Sequence, residues 1–287
     1  MPNVNKTTEP IEIFALKRLT ESGVIPREAL VVAVGSFNKR NKSTSGSSVV
    51  NGIDYNFDLS NTNVDLKNLT KKLKYAWAKK KTPFSMLLYG VSGAGKSYYA
   101  KFLAQELGLK FLKKKASDLF GKLVGETEEN IRSAFKEAEE QGAILVIDEA
   151  DSMLYDRTQA HQDHQVAHVN EMLVQMETFK YPFICTTNLV ESMDMACFRR
   201  FVFKVKFDYL SNEKVKNCIK FFFNKSAKNL PKYDLVCAGD FFNIKRRLDI
   251  LCDKITLSDI KEALIEELSV KPEYKFKNKK TIGFSVS

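Results

Sequence analysis

The stretch Phe84-Ser85-Met86-Leu87-Leu88-Tyr89-Gly90-Val91-Ser92-Gly93-Ala94-Gly95-Lys96-Ser97 decides the fold of this chain. Five of the six residues before Gly90 are apolar or aromatic, and the run is too short for a core helix, so it predicts a buried strand. From Gly90 to Ser97 the residues fit the pattern G-x-x-x-x-G-K-[ST], and an amphipathic segment follows at once. A strand that leads through a glycine-rich loop into a helix predicts a loop that binds the phosphates of a nucleoside triphosphate.

Each residue type in this loop has a physical role. Glycines let the backbone turn tightly, so that successive N–H groups point inward at an anion. We expect Lys96 to place a positive charge on the outer phosphates and Ser97 to offer its hydroxyl to Mg²⁺, whereas a plain glycine-rich turn would need neither. The predicted nucleotide-binding residues are Gly90, Val91, Ser92, Gly93, Ala94, Gly95, Lys96, Ser97 and Tyr98.

A second apolar run, from Ala143 to Ile147, ends abruptly in the carboxylates of Asp148 and Glu149. Such a continuous run is typical of a strand buried on both faces of a parallel sheet. In open α/β sheets, ligands bind beyond the carboxyl ends of the strands, which places both acids beside the glycine-rich loop. We expect Asp148 to hold Mg²⁺ and its waters and Glu149 to polarise the attacking water. The alternative is that the two acids merely cap the next helix.

The pattern of apolar residues divides the chain into four parts. Residues 1–50 are predicted to be a helical extension of two helices with a flexible Ser/Gly-rich linker, and a basic tail occupies residues 273–287. Strands alternate with helices across residues 51–208, and helices alone follow at 209–272. This order predicts an α/β domain with a parallel sheet flanked by helices, followed by a small all-helical lid domain. We expect Thr127 and Ser258 to be the N-caps of two of these helices.

The formal net charge of +10 suggests nucleic-acid binding, because phosphate contacts dominate the affinity of such complexes. The lysines are scattered in short runs, however, and no known DNA-reading motif accompanies them. We therefore favour a lysine-rich solvated surface, and a nucleic-acid interface stays open.

The composition of the 287 residues, with 44% apolar and 28% charged, is ordinary for a soluble globular protein. No apolar run approaches the ~20 residues of a membrane span, and the N-terminus lacks the apolar segment of a secretion signal. The five cysteines are an odd number without a C-x-x-C pair, which predicts reduced thiols. These features together predict a cytoplasmic protein with no membrane association.

The three histidines, His161, His164 and His168, have the spacing i, i+3 and i+7, so they would share one face of a helix. Imidazoles suit zinc, but no cysteine lies nearby in the sequence and Asp163 falls off that face. We favour surface histidines over a metal site.

Taken together, these landmarks resemble the AAA clade of AAA+ ATPases over about residues 52–270, and most closely its small bacterial members. The matching pieces, in order and spacing, are LLYGVSGAGKS (87–97), ASDLFGKLVGETEENIRSAF (116–135), ILVIDEAD (144–151), ICTTN (184–188) and MDMACFRRF (193–201). In that family they are the P-loop, the first pore loop with its helix, the Walker B strand, sensor 1 and the arginine-finger region. The resemblance implies a P-loop NTPase fold of the AAA+ type that uses ATP and Mg²⁺.

The resemblance also assigns roles to single residues. Asn188 would position the lytic water, and Arg199 and Arg200 would reach the nucleotide of a neighbouring subunit, with the choice between them left open. An arginine supplied in this way can raise the rate by ~10³–10⁵. It requires a neighbour, so the resemblance implies a homo-oligomer in the form of a hexameric ring. The alternative for the two arginines is an ordinary basic pair on the surface.

Lys122, Leu123 and Val124 correspond to the first pore loop, which in the family grips a protein substrate. Most members carry an aromatic residue at the position of Leu123. Aromatic side chains hold extended polypeptide well, although an aliphatic one can still intercalate, so threading through this loop stays open.

Two classes of function therefore remain. The first is an ATP-hydrolysing ring motor that remodels or unfolds proteins, which the Gly125-Glu126 pore-loop signature favours. The second is a nucleic-acid-handling AAA+ ATPase, such as a helicase loader or a clamp-loader-like switch, which the +10 charge favours. A switch that binds ATP but rarely hydrolyses it conflicts with the intact pair of Asp148 and Glu149.

Overall fold

A computed structural model describes residues 53–154, 163–227, 230–272 and 274. The predicted N-terminal extension, residues 1–50, lies outside the described residues, and so does the predicted basic tail apart from Tyr274.

Within the described residues, six strands form one sheet in the spatial order β1-β6-β2-β5-β4-β3. They are β1 (Asn61–Thr62), β2 (Ser85–Gly90), β3 (Lys110–Lys115), β4 (Ala143–Asp148), β5 (Phe183–Thr187) and β6 (Phe203–Asp208). The strand pairs are parallel, except that β1 runs antiparallel to β6. The carboxyl ends of β2, β4 and β5 therefore lie along one edge of the sheet. This arrangement brings the glycine-rich loop, the two carboxylates and Asn188 to the same edge.

The helices of the described part of the chain cover both faces of the sheet and then continue alone. They are α1 (Leu66–Lys80), α2 (Lys96–Glu106), α3 (Ala116–Leu119), α4 (Glu126–Gln141), α5 (Asp163–Thr178), α6 (Met195–Arg200), α7 (Asn212–Phe223), α8 (Ala238–Leu251) and α9 (Leu257–Ser269). None of these described helices has both the length and the apolar composition that a membrane crossing requires.

The sheet separates two apolar cores, because successive side chains of a strand point to opposite faces. Leu87 and Leu145 pack with α4 and α5 on one face. Met86 and Val146 pack with α1 and α2 on the other face. All four side chains are fully buried, which explains why their strands are continuously apolar in sequence rather than alternating.

Helices α7, α8 and α9 enclose a third core, which includes Phe241, Ile244 and Leu264. The predicted fold class is thereby confirmed: a mostly parallel sheet flanked by helices, followed by an all-helical part. We call this helical part, residues 209–272, the lid.

Two predicted helix caps are wrong. The N-cap of α4 is Gly125 rather than Thr127, whose hydroxyl instead accepts a hydrogen bond from the N–H of Gly121. The N-cap of α9 is Thr256, whose hydroxyl accepts from the N–H of Asp259. The Asp259 carboxylate returns a bond to the N–H of Thr256, and this reciprocal pair outcompetes Ser258 as the cap.

Candidate nucleotide-binding site

The glycine-rich loop begins directly against β6. Gly90 has a φ of +114°, and a Cβ atom there would lie 2.1 Å from the carbonyl oxygen of Phe207. The next residue, Val91, donates its N–H to that same oxygen at 3.0 Å. Only glycine fits this position, because both its backbone conformation and the space around it exclude a side chain.

Six of the nine residues predicted to bind the nucleotide line a cleft of about 300 Å³. The cleft is lined by Ser92, Gly93, Gly95, Lys96, Ser97, Tyr98, Asp148, Glu149, Thr186, Thr187 and Asn188. An adjoining cavity of about 950 Å³ shares Ser92, Gly93 and Asn188 with the cleft, and Gly90 and Val91 line that cavity instead. The side chain of Ala94 belongs to the apolar core.

Lys96, the first residue of α2, is buried and directs its ammonium back into the loop. Its Nζ donates to the carbonyl oxygens of Gly90 and Val91 at 2.8 and 2.7 Å, and to Oδ1 of Asn188 at 2.7 Å. Burial lowers the pKa of the ammonium to about 8, and the nearby Asp148 carboxylate opposes this shift. The group is therefore mostly charged at pH 7, and a phosphate that binds it competes with these acceptors.

Asp148, at the end of β4, is held by three side chains from three other elements. Its Oδ1 accepts hydrogen bonds from the hydroxyls of Ser97, at 2.8 Å, and Thr186. Its Oδ2 forms an ion pair with the ammonium of Lys113 on β3. Burial alone would raise the pKa of Asp148, but the hydrogen bonds from Lys113, Thr186 and Ser97 together lower it. Asp148 is therefore an ionised carboxylate with a fixed orientation.

The chemistry of this donor set fits Mg²⁺. The ion prefers oxygen ligands and is usually held by one or two carboxylates together with phosphate oxygens and water. Ser97 and Asp148 present a hydroxyl and a carboxylate in contact with each other. Among the described residues, no group of three or more His, Cys, Asp or Glu side chains could hold a metal. The protein would supply only part of the coordination, as expected for an ion that arrives with a nucleotide.

Glu149 follows Asp148 with a backbone in the left-handed region, at a φ of 58°. Its N–H points to the hydroxyl of Thr186 at 3.3 Å, so one threonine contacts both acidic residues. A left-handed conformation in a residue other than glycine stores of order 1–3 kcal/mol of strain and is common at active sites. The turn presents an exposed carboxylate to the cleft rather than burying it.

The lid rests directly on the glycine-rich loop. The N–H of Gly239, in the first turn of α8, donates to the carbonyl oxygen of Gly93 at 2.9 Å. A Cβ atom on Gly239 would lie 2.9 Å from that oxygen, so the close approach depends on glycine. Lys271 holds this corner of the lid through an ion pair with Asp240 at 2.6 Å. A backbone hydrogen bond therefore joins the lid directly to the glycine-rich loop.

The structure does not bring Arg199 and Arg200 to the cleft of their own chain. Both lie exposed at the end of α6, and Arg200 forms an ion pair with Glu177 of α5. Arg200 and Glu177 line a separate cavity of about 210 Å³. Either arginine could act on a nucleotide only in another copy of the chain.

Lys122, Leu123 and Val124 form an exposed loop before α4. The side chains of Leu123 and Val124 are 75% and 93% exposed. The loop is held from beneath by Glu126, whose carboxylate accepts from the N–H groups of Lys122 at 2.7 Å and Leu123 at 3.0 Å. Two aliphatic side chains are thereby displayed on a backbone that is fixed in position.

The histidine cluster can be described only in part. His161 lies outside the described residues, and so does the side chain of His164. His168 in α5 is not a surface residue as predicted, because its side chain is only 12% exposed and lies 3.8 Å from the Glu128 carboxylate.

Three residues of the site escaped the sequence analysis, Lys113, Thr186 and Thr187. These residues lie in runs of identical residues, Lys113-Lys114-Lys115 and Thr186-Thr187. Within each run, only the face of the sheet to which the side chain points distinguishes one residue from the next. Alternation along β3 and β5 is the signal that could have indicated them.

The residues that line the cleft lie in the part of the chain that matches a known protein family. Residues 86–209 match the family model described as "ATPase family associated with various cellular activities (AAA)". The protein of Acidianus two-tailed virus described as "Uncharacterized protein ORF529" is 32% identical over 195 residues. That match covers 62% of this chain and 36% of the viral protein, so the chain spans only about a third of that relative's length.

Proposed function

Because residues 86–209 belong to the AAA family of ATPases, we propose that the chain is an ATP-hydrolysing motor that assembles into a ring and remodels protein substrates. One observation carries the catalytic part of this proposal. A buried ammonium, a carboxylate in contact with a hydroxyl, a second carboxylate and an amide converge on one cleft of about 300 Å³. ATP with Mg²⁺ is the ligand whose charge and shape this set matches.

The proposed mechanism gives each side chain one task. Lys96 and the backbone N–H groups of the loop bind the phosphates and neutralise charge that develops on them. Glu149 accepts a proton from the attacking water, and Asn188 orients that water near the terminal phosphate. Ser97 and Asp148 would hold Mg²⁺, which would neutralise further charge on the phosphates.

Assembly into a ring is proposed because none of the described residues that line the cleft is an arginine. Of the two candidates, we assign the role to Arg199, since Arg200 is paired with Glu177 within its own chain. No such ion pair holds Arg199 among the described residues. An exposed guanidinium at a helix end is free to meet phosphates across a subunit boundary.

A protein substrate is proposed from the loop of Lys122, Leu123 and Val124. Extended polypeptide offers side chains of every kind, and aliphatic groups on a fixed backbone can intercalate between them without sequence preference. Glu126 supplies that fixed backbone through its two hydrogen bonds. In a ring, the loops of successive subunits would present these groups to the same chain.

Nucleic-acid handling is the second candidate, and the outer face of α1 favours it. That face exposes Tyr75, with the ammonium of Lys79 lying 4.9 Å from the centre of its ring. Its other exposed cations are Lys67, Lys71, Lys72, Lys74 and Lys80. Lysines interspersed with an aromatic ring suit phosphates and bases together.

A reducing, cytoplasmic setting is proposed from the thiols. All five cysteines are thiols rather than halves of a disulfide, and all but Cys252 are buried. Burial raises the pKa of the Cys218 thiol to about 12 and of the Cys237 thiol to about 11. Such thiols are protonated and inert, as in a protein that keeps them reduced.

The test uses the variant Glu149→Gln, which retains the shape of the side chain but cannot accept a proton. We expect ATP binding within about threefold of the unaltered protein and a loss of turnover of about 100-fold or more. Lys96→Ala is the matched control that should fail to bind at all. Hydrolysis by Glu149→Gln at the normal rate would remove Glu149 from its role.

The same variant distinguishes the two functions. Trapped with ATP, it should hold its substrate, and the co-purifying molecules can be identified as polypeptide or nucleic acid. The unaltered protein should be stimulated in ATP hydrolysis by a permanently unfolded protein. Stimulation by DNA instead, with binding that falls steeply as salt rises, would favour the second candidate.

A further inference from the structure

Lys113 enters the candidate magnesium site from a strand that contributes nothing else to it. In the register of β3 and β4, Lys113 pairs with Val146, two residues before Asp148. Because side chains two residues apart on a strand share a face, Lys113 and Asp148 point to the same side of the sheet. The ammonium reaches along the strand to Oδ2 of Asp148.

The neighbouring lysine points the other way. Lys114 forms an ion pair with Glu137 of α4 at 2.7 Å, on the opposite face of the sheet. Lys113 and Lys114 both form partly buried ion pairs, but they do so on opposite faces of the sheet. Lys113 contacts a carboxylate that lines the nucleotide cleft, and Lys114 points to the other face of the sheet.

The two oxygens of Asp148 are used differently. Oδ1 accepts from the hydroxyls of Ser97 and Thr186, whereas Oδ2 is matched with the ammonium of Lys113. The carboxylate side chain is only 13% exposed, so it depends on these partners more than a surface acid would. A divalent cation that approaches Asp148 must share Oδ2 with Lys113 or displace it.

We infer that Lys113 is a built-in counter-ion of Asp148 that competes with Mg²⁺ and so sets how strongly nucleotide binding depends on the metal. The inference rests on the proposed function, since it assumes that ATP and Mg²⁺ bind in this cleft. Lys113 acts through Asp148 and is a positioning residue. Its charge orients the carboxylate when no metal is bound and opposes the metal when it arrives.

The test compares the affinity for a fluorescent, non-hydrolysable ATP analogue in EDTA and in excess Mg²⁺. The dissociation constant in EDTA divided by that in excess Mg²⁺ measures the coupling between metal and nucleotide on the protein. Formation of the Mg²⁺–nucleotide complex in solution is the same for every variant, so it cancels between them. We expect Lys113→Met to raise this ratio about fivefold or more, because a charge that repels the metal at close range is removed.

Two further variants isolate the charge of Lys113. Lys114→Met removes the adjacent ammonium on the other face and should leave the ratio unchanged. Lys113→Arg keeps a cation near Asp148 and should restore the ratio of the unaltered protein. Thermal unfolding of all three variants, measured without nucleotide, identifies any change in the ratio that merely follows a loss of folded protein.

The possible failures can be told apart. If the ratio for Lys113→Met lies within twofold of that for the unaltered protein, the inference is overturned. An equal loss of affinity in EDTA and in Mg²⁺ also overturns it, because Lys113 would then be a direct phosphate ligand. If the unaltered protein fails to bind the analogue in either condition, the proposed function itself is wrong.

Discussion

Replacing Gly90 by alanine tests the close contact between the glycine-rich loop and β6. Gly108 provides a matched control, since it also has a positive φ, of +67°, but a Cβ atom there would meet nothing within 4 Å. At Gly90 the added Cβ would lie 2.1 Å from the backbone oxygen of Phe207. The same chemical change is thereby made once with a steric clash and once without it.

The expected magnitudes follow from this difference. A left-handed backbone destabilises a residue that has a Cβ by about 1–2 kcal/mol. Alanine also lowers the conformational entropy of the unfolded chain, which stabilises the folded state by about 0.4–1 kcal/mol. Gly108→Ala should therefore lose about 1 kcal/mol of unfolding free energy. Gly90→Ala bears this cost and must also move β6 or the loop, at about 1–3 kcal/mol for overpacking. It also loses the hydrogen bond from Val91 to Phe207, which contributes about 1 kcal/mol.

Urea unfolding of both variants without nucleotide measures the difference, which we expect to be at least about 2 kcal/mol. Binding of the fluorescent ATP analogue should survive in Gly108→Ala and be lost in Gly90→Ala, because only the second distorts the loop. Equal destabilisation of the two variants, within about 0.5 kcal/mol, would refute the contact between the loop and Phe207.

Two further predictions concern the proposed ring. Arg199→Ala should lower turnover about 1,000-fold, whereas Arg200→Ala should lower it far less, and mixing Arg199→Ala with Lys96→Ala should restore activity because each supplies what the other lacks. Failure of the mixture to recover would argue against an arginine supplied by a neighbour. Leu123→Ser should abolish stimulation of ATP hydrolysis by unfolded protein, and undiminished stimulation would remove this loop from substrate binding.

Local patterns were enough to predict that the glycine-rich loop and the two carboxylates meet at one edge of the sheet. The run before Gly90 and the run before Asp148 are apolar at nearly every position because their strands are buried on both faces. The residue types that follow each run are constrained by phosphate and metal chemistry. Since parallel strands end at one edge, Lys96 and Asp148 could be placed together without knowledge of the intervening chain.

Contacts that depend on strand order and register could not be predicted in the same way. Three consecutive lysines occupy positions 113 to 115, and the sequence alone does not indicate which of them contacts Asp148. That choice follows from the pairing of β3 with β4, which brings the ammonium of Lys113 to the carboxylate. Thr186 and Thr187 present the same problem, since the first contacts Asp148 and the second contacts Asp151.

The error over the cap of α4 has a structural cause. Thr127 has the chemistry of an N-cap, but its hydroxyl bonds Gly121, and the carboxylate of Glu126 bonds the loop before the helix. Both side chains therefore stabilise the backbone that displays Leu123 and Val124 rather than the free N–H groups of the helix. Local helix rules fail here because the residues at the helix start fix a loop.

The contact between Lys96 and Asn188 suggests how phosphate binding reaches the arginines. The Asn188 amide oxygen accepts from the Lys96 ammonium, so a phosphate that takes this ammonium releases the amide toward water. Asn188 begins the segment that continues into α6, where the N-cap Asp194 holds the N–H groups of Ala196 and Cys197. One short segment, residues 188–200, thus carries both the side chain that contacts the phosphate-binding lysine and the arginine proposed to act on the next subunit. Under the proposed function, we expect occupancy of one cleft to affect catalysis in its neighbour through this segment.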